Sequence, residues 1–170
     1  MQYDLIVVGS GPAGQKAAIA AAKQNWRVAI VERKQELLGG VSLHTGTIPS
    51  KTIREAILHL TGYRHRDVYE EQYRSKRDIT MDDLRLMIRN VNQTEWQVLQ
   101  DQFARNRVHV LCGEASFVDR HRIEVRGPHE PQILEGRHIL LAPGTSPARP
   151  GHIPFNGETV FDSDEVLSVS

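Results

Sequence analysis

Two short apolar runs, separated by an alanine-rich stretch, open the chain. The runs are Tyr3–Val8, which ends at a glycine, and Arg27–Glu32, which is centred on Val-Ala-Ile-Val. Apolar runs of this length are typical of parallel strands that are buried on both faces. Ala13–Gln24 lies between them and is rich in alanine and free of proline, which favours a helix. The pattern predicts a right-handed, parallel strand–helix–strand unit.

The middle of the chain has the pattern of a loop followed by helices. Gly39–Pro49 is expected to be a loop, with Pro49 in the first turn of a helix that runs to about Leu60. Residues 63–78 carry charges of both signs and are expected to form a surface connection. Thr80 and Asp83 resemble a capping box. A long helix to about Arg105 is predicted from apolar residues at helical spacing, namely Leu84, Ile88, Val91, Val98 and Phe103.

The last third of the chain changes to short strands. We expect a strand at Val108–Cys112 and a return to the parallel sheet at His138–Ala142, with loop from Pro143 onward. Between them, turn residues separate three segments of an antiparallel meander, namely Ser116–Val118, Arg122–Arg126 and Gln132–Glu135. The predicted fold class is α/β, with a parallel sheet and a small antiparallel β-meander, and residues 1–170 are treated as one domain.

Composition narrows the classes of function. The chain has 170 residues, 21 Lys+Arg and 21 Asp+Glu, and this balance argues against chain-wide binding to nucleic acid or anionic lipid. The single cysteine, Cys112, excludes an internal disulfide and favours a reducing compartment, and the histidines lack metal-site spacing. No apolar run approaches the roughly 18–20 residues that span a membrane. Because Met1 directly precedes the first strand, no signal peptide is expected, and the predicted location is the cytoplasm.

A glycine motif joins the first strand to the first helix. Residues 9–14 read GSGPAG, which matches the G-x-G-x-x-G motif of dinucleotide-binding proteins. Gly9 would allow the tight turn, Gly11 the approach of a pyrophosphate, and Gly14 close packing of helix on strand. Glu32, 18 residues after Gly14, could accept hydrogen bonds from ribose hydroxyls, and it argues against a 2′-phosphate. The motif alone leaves FAD and NAD open as ligands.

A second motif connects the chain to a known family. Residues 39–51 read GGVSLHTGTIPSK. This segment resembles the active-site segment of the two-nucleotide flavoprotein disulfide reductases, the class I pyridine nucleotide-disulfide oxidoreductases, in which two cysteines precede Ile-Pro-Ser-Lys. Here the two cysteine positions are Ser42 and Thr47, so this segment cannot carry out dithiol–disulfide exchange.

One branch of that family is more similar. The soluble (Si-specific) pyridine nucleotide transhydrogenases resemble this chain in GTIPSK at residues 46–51 and in His44, and the likeness continues through residues 113–119 and 161–164. The resemblance covers essentially the whole chain, although that branch commonly keeps the first cysteine, where this chain has Ser42. It implies a Rossmann-like FAD-binding domain from an oxidoreductase that moves hydride from NADPH to NAD⁺ through FAD.

The resemblance also implies which residues contact FAD. Lys51 would lie on the N5 side of the flavin, where its ammonium stabilises negative charge as hydride arrives, and Thr47 would lie under the flavin ring. Ala115 would offer backbone contacts to the adenine. Family members carry Ala-Thr-Gly where this chain has Ala-Pro-Gly at residues 142–144, so one N–H donor is lost. The full predicted set of cofactor-binding residues is Gly9, Gly11, Pro12, Gly14, Glu32, Arg33, Gly39, Gly40, Ser42, Thr47, Lys51, Ala115 and Gly144.

No second G-x-G-x-x-G motif occurs in the 170 residues. The NAD(P) domain and the dimerisation domain of this homo-oligomeric family are therefore expected to lie outside them, and nicotinamide nucleotides would bind only with those domains. No catalytic residue and no metal ligand is assigned. Two hypotheses stay open: a portion of a transhydrogenase-type enzyme, or a non-catalytic FAD- or nucleotide-binding module without turnover. Under both, the 170-residue chain is expected to bind FAD weakly and to lack transhydrogenase activity.

Overall fold

The computed structural model describes residues 2–60, 80–128 and 130–168. The chain divides into two compact units. The first contains Met1–Ser42 and Trp96–Thr145, and the second contains Leu43–Glu95 and Ser146–Ser170. The assignment of residues 1–170 to one FAD-binding domain stays a prediction.

The elements occur in the order that the apolar pattern indicates, with a strand–helix–strand unit first, helices in the middle and short strands in the last third. The strands are β1 Gln2–Val8, β2 Val28–Glu32, β3 His109–Cys112, β4 Glu114–Phe117, β5 Arg122–Arg126 and β6 Gln132–Leu141. The helices are α1 Pro12–Ala22, α2 Val41–His44, α3 Thr47–Leu60 and α4 Met81–Arg105, with 3₁₀ turns at Gln35–Leu37 and Val166–Ser168.

The first unit contains one six-stranded sheet with the strand order β3-β2-β1-β6-β5-β4. Strand β1 pairs in parallel with both β2 and β6, and β2 pairs in parallel with β3. The other two pairings, β4 with β5 and β5 with β6, are antiparallel. The predicted α/β class, with a parallel sheet and an antiparallel meander, is confirmed.

Strand β6 corrects one prediction. The sequence predicted two strands, Gln132–Glu135 and His138–Ala142, but the structure has a single strand of 10 residues. Its first part pairs antiparallel with β5 and its second part pairs parallel with β1. Gly136 joins the two parts, and a Cβ there would lie 2.8 Å from the Ile6 side chain. The glycine therefore marks a close approach of two strands and not a break.

The two faces of the sheet are covered differently. One face packs against α1 and the C-terminal part of α4, where the buried residues are Leu5, Val7, Ala18, Val28, Ile30, Leu38, Leu99, Phe103 and Val108. The other face packs against residues of the meander, in a cluster formed by Ile6, Ala29, Val31, Leu111, Ile123, Val125 and Leu134. Trp96 is partly buried and packs against the first cluster.

The predicted loop over Gly39–Pro49 is partly wrong. Helix α2 occupies Val41–His44, and α3 begins at Thr47. Pro49 is nevertheless in the first turn of α3, as predicted, because its missing N–H has no helical partner at that position. The Ser42 hydroxyl donates to the carbonyl of Gly39 at 3.2 Å, and this local bond ties the start of α2 to the turn before it.

Helix α4 begins at the predicted capping box. The backbone N–H of Thr80 donates to Asp83 Oδ2 at 3.0 Å, and the backbone N–H of Asp83 donates to Thr80 Oγ1 at 3.3 Å. These reciprocal bonds satisfy donors that a helix N-terminus leaves unpaired. The surface connection predicted for residues 63–78 lies outside the described residues. No helix in the described part of the chain is long and apolar enough to cross a membrane.

In the second unit, Arg149 connects two acidic side chains. Its Nη2 lies 2.6 Å from Asp162 Oδ2 and 2.6 Å from Glu165 Oε1. The guanidinium also lies 5.4 Å from the centre of the Phe155 ring. The hydrogen bond from Arg149 lowers the pKa of Asp162 below its usual value of 3.8, helped by backbone N–H groups of Glu165 and Asp164.

The pKa of Asp162 is lower in the folded state than in the unfolded state. The ionised carboxylate therefore contributes its full stabilisation when the pH is above the unfolded pKa. That contribution is lost as the pH falls below about 4 and through the lowered pKa. We therefore expect Asp162→Asn to reduce the pH dependence of unfolding in this range, measured by urea denaturation between pH 3 and pH 7. Glu158→Gln, at an exposed position, is the control. The same pH profile in the wild-type chain and the Asp162 variant would contradict the assignment.

Candidate nucleotide-binding site

The glycine motif lies between the end of β1 and the start of α1. Gly9 has φ +100°, and a Cβ there would lie 2.1 Å from the carbonyl oxygen of Ala142, just after β6. A Cβ at Gly14 would lie 2.0 Å from the carbonyl oxygen of Gly9 and 3.2 Å from Val7 Cγ1. Both positions therefore exclude side chains because backbone occupies the space.

Gly11 differs from its two neighbours in the motif. Its φ of −63° suits any residue, and a Cβ there would have no atom within 4 Å. Gly11 is the N-cap of α1, Pro12 follows in the first turn, and no side chain caps the helix. Unpaired N–H groups at a helix N-terminus attract anions. The space over Gly11 and the uncapped helix end can together accept a phosphate group.

The carboxylate of Glu32 lies beside this turn. Its Oε2 accepts hydrogen bonds from the backbone N–H of Ser10 at 3.0 Å and from the Ser10 hydroxyl at 2.5 Å. Its Oε1 accepts one from the backbone N–H of Arg33 at 2.8 Å. The Arg33 side chain is exposed. The carboxylate is thus held at the end of β2, next to Ser10 of the glycine motif.

Gly39 and Gly40 lie against the same turn. The backbone N–H of Gly39 donates to the Ser10 hydroxyl oxygen at 3.0 Å. Gly40 has φ +65°, and a Cβ there would lie 2.9 Å from the Cα of Gly11. Glycine is required at Gly40 by both the positive φ and this close approach. The structure therefore brings Gly39 and Gly40, the first two residues of the second motif, against the first motif at Ser10 and Gly11.

Sequence reasoning missed Ser10. It occupies a variable position of the G-x-G-x-x-G motif, and the motif itself gives it no role. The side chain is fully buried. A polar residue between two glycines that must pack closely was the available signal, because a buried hydroxyl needs hydrogen-bond partners.

Glu32 is also reachable from a cavity of about 390 Å³ in the first unit. The backbone N–H of Gly113 donates to the backbone carbonyl of Glu32 at 2.9 Å, so the turn between β3 and β4 lies beside the end of β2. Ala115 follows in β4 and is partly buried. Cys112 lines the cavity and is partly buried.

The remaining predicted residues lie in other places. Gly144, with φ +74°, is exposed after the end of β6 in the first unit. Thr47 and Lys51 belong to the second unit, where both are exposed on α3. They lie four positions apart in the sequence, so they share one face of that helix. Among the described residues, no carboxylate forms an ion pair with Lys51, and no group of three or more His, Cys, Asp or Glu side chains could hold a metal ion.

Three comparisons relate the chain to known proteins. Residues 3–169 match the family model described as pyridine nucleotide-disulphide oxidoreductase. The chain is 48% identical over 170 residues to a soluble pyridine nucleotide transhydrogenase of Mycobacterium bovis, covering 99% of this chain and 36% of the relative. It is 36% identical over 169 residues to a soluble pyridine nucleotide transhydrogenase of Yersinia pestis, with the same coverage.

A solved structure has the same fold. The HOCl-induced flavoprotein disulfide reductase RclA from Escherichia coli, in its Cu(II) complex, aligns with a TM-score of 0.73 at 24% identity. The alignment covers 99% of this chain and 35% of the other. The chain spans 36% of the length of the curated relatives that it matches. With the family model matched along almost all of its residues, the chain belongs to the pyridine nucleotide-disulphide oxidoreductase family.

Proposed function

We propose that this chain is the FAD-binding portion of a flavoprotein oxidoreductase of the soluble transhydrogenase type. The observation that carries the proposal is the uncapped N-terminus of α1, with open space at Gly11, directly beside the held carboxylate of Glu32. A helix end for the pyrophosphate and an acid for the ribose are the two groups that a dinucleotide site of this fold requires.

The pyrophosphate would lie over Gly11. Its negative charge would be stabilised by the first-turn N–H groups of α1 and by the positive end of the helix dipole. Any side chain at Gly11 would occupy the space that is open there. Pro12 offers no N–H to the pyrophosphate, since its nitrogen carries no hydrogen, and its ring preorganises the first turn.

The adenosine half would lie toward Glu32. The carboxylate can accept a hydrogen bond from a ribose hydroxyl. An ionised carboxylate offers about four acceptor positions, and the three donors from Ser10 and Arg33 leave about one of them open. The backbone at residues 113–115 lies beside Glu32 and supports the adenine contact assigned to Ala115. These residues fit FAD, and they also fit the ADP part of other dinucleotides.

The flavin half is assigned to Thr47 and Lys51 of α3, together with Gly39, Gly40 and Ser42. FAD, when bound, would accept a hydride and pass it on. Lys51 would contribute a fixed ammonium that stabilises developing negative charge, and its exposure on α3 leaves that ammonium available. Hydride transfer from NADPH to NAD⁺ is part of this proposal, as are nicotinamide nucleotides as partners, homo-oligomerisation and a cytoplasmic location.

A non-catalytic FAD-binding module is the second candidate. Ser42 and Thr47 cannot form a disulfide, so the segment offers binding without dithiol chemistry. Turnover separates the two candidates. NADPH oxidation with an NAD⁺ analogue as acceptor, measured on the natural gene product that contains these 170 residues, would support the transhydrogenase. FAD retention without any such turnover would support the module.

Flavin binding by the purified 170-residue chain tests the proposal directly. We expect the chain to carry visible flavin absorbance after incubation with FAD and rapid gel filtration, with partial loss on dilution because the affinity is low. FMN lacks the adenosine half and is the matched ligand control, which we expect not to co-elute. A chain that is folded by circular dichroism but binds neither FAD nor ADP would overturn the proposed function.

A further inference from the structure

Ser10 is a fully buried polar side chain of the first unit, at 0% exposure. Each of its polar atoms is hydrogen-bonded. Its backbone N–H and its hydroxyl both donate to Glu32 Oε2, and its hydroxyl oxygen accepts from the Gly39 N–H. Its carbonyl accepts from the side-chain amide of Gln15 at 2.9 Å. A group bonded in this way has a single orientation, because any rotation breaks at least one bond.

We propose that Ser10 is the positioning residue of the nucleotide site, where its hydroxyl orients Glu32 toward the ribose and couples that contact to the Gly39–Gly40 turn. The inference rests on the proposed function and deepens it, because it assigns ribose recognition to a pair of residues. The hydroxyl donates to Glu32 at the end of β2 and accepts from Gly39, so a single group holds β2 and the Gly39–Gly40 turn together.

The distribution of donors predicts which oxygen of Glu32 contacts the ribose. Oε2 accepts two hydrogen bonds from Ser10, whereas Oε1 accepts one, from the Arg33 backbone. Since each carboxylate oxygen has about two acceptor positions, Oε1 retains one for a ribose hydroxyl. Without the Ser10 hydroxyl, the carboxylate loses one of the bonds that fix its rotation, and the ribose would meet a mobile acceptor.

The same hydroxyl determines the position of the Gly39–Gly40 turn. The Gly39 N–H is buried, and an unpaired buried donor is costly. Gly40 lies against Gly11, where the pyrophosphate is assigned. Loss of the hydroxyl would therefore release the turn next to the pyrophosphate as well as the acid next to the ribose.

A pair of isosteric substitutions tests the hydroxyl. Ser10→Thr and Ser10→Val add the same bulk to a fully buried position, and only the threonine keeps the hydroxyl. Ser10→Ala removes the hydroxyl without adding bulk, so the test remains valid if the larger variants do not fold. Calorimetry would measure the Kd of ADP and of 2′,3′-dideoxy-ADP, which lacks the ribose hydroxyls that Glu32 would bind.

We expect the wild-type chain and Ser10→Thr to prefer ADP over the dideoxy analogue by about 10- to 100-fold, as hydrogen bonds to a charged acceptor predict. In Ser10→Val and Ser10→Ala the preference should fall to within about threefold of unity. A general structural role would weaken both ligands and leave their ratio unchanged. Amide exchange at residues 37–41 should also be faster in Ser10→Ala than in the wild-type chain.

The outcomes separate this inference from the proposed function. An unchanged ADP preference in Ser10→Ala overturns the positioning role. Unchanged amide exchange at residues 37–41 in that variant overturns the coupling to the turn. A folded wild-type chain that binds neither nucleotide overturns the proposed function itself, whatever the Ser10 variants do.

Discussion

Replacement of Gly14 by alanine is expected to unfold the first compact unit. The added Cβ would lie 2.0 Å from the carbonyl oxygen of Gly9, which is backbone and cannot rotate away. Gly9 cannot retreat either, because its own Cα lies against the backbone of Ala142. We expect a loss of at least about 4 kcal/mol in the free energy of unfolding, the range of the most severe single substitutions. Urea denaturation followed by circular dichroism measures it.

Gly11→Ala is the matched control for that experiment. It makes the same chemical change three residues earlier, at ordinary φ and in open space. We expect a loss of stability of no more than about 1 kcal/mol, the usual cost of alanine at an N-cap. FAD retention should nevertheless fall, since the methyl group occupies the space assigned to the pyrophosphate. Equal stability of the two variants would refute the steric account of the motif.

Glu32→Ala is expected to reduce FAD affinity by about 10- to 100-fold, the range for hydrogen bonds to a charged group. The substitution removes the acceptor assigned to the ribose and also the partner of the Ser10 hydroxyl. Equilibrium titration of the purified chain with FAD, monitored by flavin fluorescence, measures the change.

Two further variants separate binding from folding in the Glu32 experiment. Glu36→Ala removes an exposed carboxylate four residues later and should leave FAD affinity unchanged. Glu32→Gln keeps the side-chain volume but replaces one acceptor oxygen by a donor, so one of its present donors loses its partner. We expect Glu32→Gln to fold and to bind FAD weakly. FAD affinity equal to that of Glu36→Ala would remove Glu32 from the site.

Local patterns accounted for most of the elements. The apolar runs predicted β1 and β2, and the spacing of Thr80 and Asp83 predicted the start of α4, where their reciprocal bonds are observed. Caps and strand runs depend on residues close in sequence. The errors occurred where distant segments decide the outcome. The prediction ends a strand at Glu135, whereas β6 continues through Gly136, where Ile6 of β1 lies close.

The sequence by itself determined the family, the glycine turn at residues 9–14 and the position of the Glu32 carboxylate. A G-x-G-x-x-G motif between an apolar run and a helix admits few conformations, since Gly9 requires positive φ and Gly14 admits no side chain. The position of Glu32 at the end of β2 follows from the length of the second apolar run. These are local consequences of chain geometry, and they survive in the structure unchanged.

Only the tertiary structure decided how these parts are joined. Ser10 meets Glu32 across 22 residues and Gly39 across 29 residues, and no periodicity in the sequence encodes either bond. The hydroxyl acquires its role because the sheet places the end of β2 beside the turn after β1, and burial then requires every polar atom to find a partner. A position that the motif leaves variable is therefore the one that holds the candidate site together.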